Sequence, residues 1–173
     1  SADGSVVALG MPKWGTNDRG GVKVFAWTGY WRQMGQVIEG EFSRDELGWS
    51  VSLSDDGKTL AAGTQRGKYV KVCEWKYGNW SQIHKFDDYL PSRVDSSYTN
   101  QANVVLSGDG RMLAIGVKQA GNYSNTGSVT VYAIRSFTHY FRNSENRDLT
   151  PTQYGRKRNL STYKNMFAGE KID

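Results

Sequence analysis

The sequence predicts an all-β protein assembled from repeats, on three observations. The stretch Ser1-Ala2-Asp3-Gly4 returns as Ser54-Asp55-Asp56-Gly57 and as Ser107-Gly108-Asp109-Gly110, a spacing of 53 residues. Each copy is followed, at the same distance, by an apolar segment ending in glycine: Val6-Val7-Ala8-Leu9-Gly10, Thr59-Leu60-Ala61-Ala62-Gly63 and Met112-Leu113-Ala114-Ile115-Gly116. Composition agrees, since 20 Gly, 10 Tyr and 6 Trp with no long Ala/Leu/Glu/Lys-rich stretch suit short strands and tight turns. A period just above fifty belongs to propeller architectures more than to helical solenoids. The expected fold is therefore about three four-stranded blades of a β-propeller, incomplete alone, with a C-terminal arm.

The middle copy shows the parts most clearly. Trp49 to Leu53 reads as a first strand, and Asp56-Gly57 supplies the positive φ of a tight hairpin. Lys58 to Gly63 forms the second strand, and Tyr69 to Trp75 the third, rich in β-branched and aromatic residues. Tyr77-Gly78-Asn79 has turn chemistry. Trp80 to Phe86 alternates large and polar side chains, as a half-exposed fourth strand would.

The first copy repeats this with Val22 to Trp27, a Thr28-Gly29 turn and an outer strand over Trp31 to Val37. The third begins faithfully through Asn103 to Leu106, the Asp109-Gly110 hairpin and Ser128 to Tyr132, then departs. Ile134 stands where the others have Trp27 and Trp75, and Phe137 to Phe141 is a weak outer strand. Expected blades lie near 1–47, 48–100 and 101–138, followed by a basic arm over 139–173. Between second and third strands, Met11 to Gly21, Thr64 to Lys68 and Val117 to Gly127 differ in length. Such variation marks loops on one face, often the binding face.

The stretch from Asp45-Glu46-Leu47-Gly48-Trp49 through Ser54-Asp55-Asp56-Gly57 to Ala61-Ala62-Gly63, with the following Val-Lys-Val strand and its Trp, resembles FG-GAP-like propeller repeats. The resemblance covers residues 1–138 and is to the variant found in algal and bacterial proteins. It implies a propeller used for interaction or adhesion, at a cell surface or in a large assembly. WD-repeat propellers share Ser-x-Asp-Gly, but their period is shorter and no Trp-Asp ends the third strand here. Calcium-binding members carry alternating acids in a short turn, because a hard cation needs several converging oxygens. Here Asp3, Asp55, Asp56 and Asp109 lack that spacing, so Ser and Asp are expected to bond within the turn.

Catalytic signals are sparse. His84 and His139 lack Cys or His at ligand spacing, and Cys73 in its apolar strand reads as a buried structural thiol. The acidic pairs Glu39/Glu41, Asp45/Glu46 and Asp87/Asp88 fall in loops, where solvated charge is expected. These features predict neither an enzyme, a metal nor a cofactor. No run of eighteen apolar residues occurs, so no transmembrane helix is expected. The start falls inside a repeat, so the lack of a leader there is uninformative.

Trp27 and Trp75 are expected between blades, since a wide ring fills the gap between splayed sheets. Trp31 and Trp80 open the outer strands and are expected to be partly exposed, and Trp14 in the long first loop is a candidate binding aromatic. Residues 139–173 hold a net charge of +3 against +2 for the rest. There Arg156, Lys157 and Arg158 suit an acidic partner, with Tyr163 and Phe167 supplying buried area. No stacking sheet accompanies them, which disfavours specific nucleic-acid binding. Asn-x-Ser triplets at Asn79, Asn122 and Asn159 permit an extracellular location. The functional expectation is a non-catalytic scaffold for contact with other protein subunits within a larger assembly, its propeller completed by a second chain, by missing sequence or by strands from the tail, with a glycan-binding adhesin as the alternative.

Overall fold

The computed structural model describes residues 1–67, 69–87, 101–117 and 128–134. These residues form three antiparallel sheets, with one 3-10 turn at Thr16–Asp18. The first sheet holds β1 (Val6–Met11), β2 (Gly21–Trp27), β3 (Trp31–Gln33) and β4 (Ile38–Glu39). The second runs β5 (Ser50–Leu53), β6 (Thr59–Gly63), β7 (Val70–Lys76), β8 (Asn79–Phe86), and the third holds β9 (Ala102–Leu106), β10 (Met112–Val117) and β11 (Ser128–Ala133). The expected strands thus form within a residue or so of their predicted limits.

One strand differs. The outer strand expected over Trp31 to Val37 breaks after Gln33, and pairing with β2 resumes only at Ile38. The break has a packing cause. Gly35 adopts φ 66° and lies against the Trp75 ring, where a Cβ would come 2.7 Å from the ring carbon Cζ3. The kink therefore presses the first sheet's outer edge onto the second sheet.

The repeat holds at the level of single hydrogen bonds. The hairpin glycines Gly4, Gly57 and Gly110 have φ of 70°, 66° and 67°, a region that disfavours side chains. In each turn the serine hydroxyl donates to the aspartate at 2.6 Å: Ser1 to Asp3, Ser54 to Asp56, Ser107 to Asp109. Each aspartate also accepts a backbone N–H two residues on, from Ser5, Lys58 or Arg111. The Ser and Asp side chains therefore bond inside the turn, as their spacing suggested.

Register repeats as well. Gly10, Gly63 and Gly116 face Val22, Val70 and Val129 across their sheets. The N–H groups of Trp27, Trp75 and Ile134 donate to the equivalent carbonyls of Ser5, Lys58 and Arg111 at 2.8, 2.8 and 2.7 Å, which fixes Ile134 as the third member of the Trp position. The boundary at 138, the outer half of the third copy and the arm lie outside the described residues.

Apolar side chains gather between sheets. One core joins Val22, Val24 and Ile38 of the first sheet to Leu60, Ala62, Cys73 and Trp80 of the second. The other joins Ala61, Val70 and Val72 of the second to Val104, Leu113, Ile115 and Ile134 of the third. Alternation along β6 produces this: Leu60 and Ala62 face back, Ala61 faces forward. Cys73 is buried, and burial pushes its thiol up to about 11, away from the reactive thiolate.

Candidate functional site

Each sheet has a forward side and a backward side, and the two inter-sheet contacts are built alike. At the glycine that closes the second strand, the next sheet's backbone comes close: a Cβ on Gly10 would strike the Gly48 carbonyl, and one on Gly63 the Ala102 carbonyl. Neither position tolerates a side chain. The hairpin tips are linked in sequence, with Ala2 N donating to Asp55 O at 3.0 Å and Asp55 N to Gly108 O at 2.8 Å.

The backward side of the second sheet is closed by the first. Trp75 and Trp80 pack with ring centroids 5.5 Å apart, and Trp80 is only 4% exposed. Its indole Nε1 donates to the Met34 carbonyl at 2.9 Å. The Gln36 amide clamps its backbone, donating to Trp80 O at 2.7 Å and accepting from Trp80 N at 3.2 Å. Trp80 was expected to be partly exposed and is not, because the Met34–Gln36 kink covers it.

Among the described residues, no sheet covers the backward side of the first sheet. Trp27 and Trp31 form the equivalent pair, edge to face at 5.4 Å, yet they are 53% and 46% exposed. The expectation of a core Trp27 is therefore corrected: among the described residues no sheet lies behind it. Tyr30 and Leu9 are exposed on the same sheet, giving an apolar surface of the kind that marks interaction sites.

A second feature occupies the loop end of the first two sheets. The segment 41–47 lies on the long first loop, with Arg44 N, Glu46 N and Leu47 N donating to Asn17, Asp18 and Arg19 carbonyls. Arg44 and Glu46 take left-handed φ of 65° and 54° to do so. This buries Asp45 and Glu46, correcting the expectation of solvated charge. Asp45 Oδ2 accepts from the Tyr69 hydroxyl at 2.6 Å and from Phe42 N at 2.7 Å. Burial, then the Asp45 carboxylate, holds the Tyr69 phenol well above its ordinary value.

Glu46 Oε1 pairs with Lys13 Nζ at 2.6 Å and Arg66 Nε at 3.5 Å, while its Oε2 has no hydrogen-bond partner among the described residues. Glu41 accepts from Lys85 Nζ at 2.6 Å, which with nearby Lys71 keeps its carboxyl below the usual range. Lys85 also stands 4.8 Å over the Tyr69 ring. These bonds tie the variable loops of two sheets together, so the cluster acts as a latch.

Of the predicted partner residues, Trp31 is at the open side, Trp80 is in the closed contact, and Trp14 is half-buried against Gly21. Arg156, Lys157, Arg158, Tyr163 and Phe167 lie outside the described residues. Sequence reasoning missed Leu9 and Tyr30, whose exposure depends on what stands behind the sheet.

No family model matches the chain, and no curated protein does. Among solved structures it is similar to a putative 6-phosphogluconolactonase from Bacteroides uniformis, at 14% identity and TM-score 0.46, covering 68% of this chain and 32% of that one. It is also similar to Hsv2 from Kluyvelomyces marxianus, at 15% identity and TM-score 0.35, covering 80% of this chain and 47% of that one. The chain thus spans about a third and about half of these proteins. The first bears an enzyme's name, so the expectation that this chain is not an enzyme is withdrawn.

Proposed function

We propose that the protein is a β-propeller module that mediates protein–protein contact as a structural or accessory subunit of a larger assembly. One observation carries this reading: Trp27 and Trp31 are exposed at the position where a neighbouring sheet buries Trp80 and partly buries Trp75. Each described sheet serves as one blade, and the resemblance to FG-GAP-like repeats, carried by residues 45–63, belongs to the same reading. Aromatic side chains supply large contact area at low entropic cost, which suits an interface anchor.

The direct test is recovery of the tagged chain from its native cells. The expected result is a complex of fixed stoichiometry that is lost on changing Trp27 and Trp31 together to Ser. Unchanged recovery of the double variant overturns the reading. The exposed Tyr30 beside the Trp pair favours one competing reading, a glycan-binding adhesin. Glycan-array binding that Trp31→Ala abolishes would establish it. For the arm, we keep the proposal that Arg156, Lys157 and Arg158 attract an acidic partner surface; truncation after Thr138 with no change in affinity or salt dependence would remove it.

A further inference from the structure

We infer that Asn79 is the acceptor of an N-linked glycan whose first sugar packs on the ring of Tyr77. Asn79-Trp80-Ser81 is one of three Asn-x-Ser triplets in the chain, and it is the one that lies within the described residues. Transfer to such a triplet needs a reachable carboxamide and a hydroxyl two residues on. The fold presents both. Asn79 opens β8 directly after the hairpin turn, and Asn79 and Ser81 are exposed. Trp80 between them turns the other way, under the Met34–Gln36 kink, because side chains alternate along a strand.

The turn itself carries the second observation. Tyr77 and Gly78 both take left-handed φ, 52° and 80°, between the paired Lys76 and Asn79. That is the condition of a type I′ hairpin, whose first central position normally holds Asn, Asp or Gly. A tyrosine there is strained, because its Cβ crowds the following carbonyl oxygen. The chain's own packing gains nothing in return: the ring is 90% exposed and belongs to neither core. Its contact with Lys76 Nζ, 5.2 Å from the centroid, is itself exposed and weak. Strain held without a packing gain points to function. A ring two residues before the acceptor is a platform for the C–H face of a sugar, which lies against the electron-rich face of an aromatic side chain.

The bond made joins Asn79 Nδ2 to the anomeric carbon of the sugar. The donor is a lipid-linked diphosphate oligosaccharide, and the bond broken joins that carbon to a diphosphate oxygen. One carboxamide proton passes to a base of the transferring enzyme, the lipid diphosphate leaves, and nothing is oxidised or reduced. The glycan occupies a hairpin tip that neither inter-sheet core uses, so it is compatible with the fold. The inference places this hairpin in a secretory compartment during synthesis, which the scaffold reading alone does not do.

Glycopeptide mass spectrometry of the full chain purified from its native cells tests the acceptor. Cleavage after Lys76 and Lys85 isolates residues 77–85. The expected peptide carries an N-acetylhexosamine-based glycan that peptide-N-glycosidase removes, leaving aspartic acid at position 79. Recovery of this peptide in unmodified form alone overturns the inference. Thermal melting tests the ring, with the chain and its Tyr77→Gly variant secreted from a eukaryotic host behind a cleavable leader. Enzymatic removal of the glycan should lower the wild-type melting temperature by about 2–4 °C and leave that of Tyr77→Gly unchanged. Glycine accepts this left-handed φ freely, so the deglycosylated variant should melt no lower than deglycosylated wild type, which separates a lost sugar contact from a damaged turn. Equal losses in the two proteins overturn the packing on Tyr77, and a lower-melting deglycosylated variant overturns the strain argument.

Discussion

The Trp75–Trp80 and Trp27–Trp31 pairs share residue type, strand position and backbone hydrogen bonding, yet one packs under a neighbouring sheet, with Trp80 buried and Trp75 partly so, and the other is exposed. Nothing in the local sequence separates them. What separates them is the kinked segment Met34–Gln36, which supplies a carbonyl and an amide to Trp80 and has no counterpart behind Trp31 among the described residues. The same aromatic pair is thus covered in one sheet and exposed in the next, according to whether a described sheet stands behind it.

The sharpest way to break this comparison is to remove one ring from each pair. Trp80→Ala should lower stability by about 3–5 kcal/mol, the range for a large buried aromatic, as read from urea unfolding. Trp31→Ala should change it by less than about 1 kcal/mol. Equal losses would mean that the two pairs are equally packed.

The closing glycines give the next largest contrast. Gly63→Ala forces a methyl onto the Ala102 carbonyl and should cost at least about 1–3 kcal/mol. A Cβ on Gly116 would meet, among the described residues, only the Asn103 carbonyl at 4.0 Å, so Gly116→Ala should be close to neutral. A neutral Gly63→Ala would show that the sheets are not held as close as described.

The latch sharpens the comparison at the loop end. Tyr69→Phe removes the hydroxyl that donates to Asp45 at 2.6 Å and accepts from Glu41 N at 2.9 Å, and should lower stability by about 1–3 kcal/mol. Alkali should act at the same place. Tyr69 and Cys73 have folded values raised above 10.0 and 9.0, so their contribution is full below those values. It is lost as pH rises, for Cys73 through about 11.

The smallest effect is expected from acid. Asp3 is held down to about 2 by the Ser1 hydroxyl and the Ser5 N–H, and Asp109 and Glu41 are also lowered. A depressed folded value stabilises above the ordinary value and is lost as pH falls through it, for Asp3 between 3.8 and about 2. Asp3 is solvent-exposed, so Asp3→Asn should flatten the acid limb of a melting-temperature profile only slightly.

The repeat, the turn chemistry and nearly every strand were legible because they depend on residues close in sequence. Ser-x-Asp-Gly closes its own hairpin, and alternation along β6 assigns Leu60 and Ala61 to opposite sides. Burial of the tryptophans was not legible, since it depends on a neighbour some fifty residues away. Asp45 and Glu46 escaped for a related reason. Their loop is shaped by left-handed Arg44 and Glu46, which carry no glycine signal, and its charges pair with Lys13 and Arg66 from other loops.

One contact is made twice within the chain, and among the described residues Trp27 and Trp31 lack the cover that it gives Trp80. Hydroxyl-radical footprinting read by mass spectrometry tests it at single tryptophans. In the isolated folded chain, Trp27 and Trp31 should oxidise readily while Trp80 stays protected. In the complex recovered from native cells, Trp27 and Trp31 should become protected as well. Oxidation of Trp80 as fast as Trp27 in the isolated folded chain, or of Trp27 equally fast in the isolated chain and the complex, would contradict this.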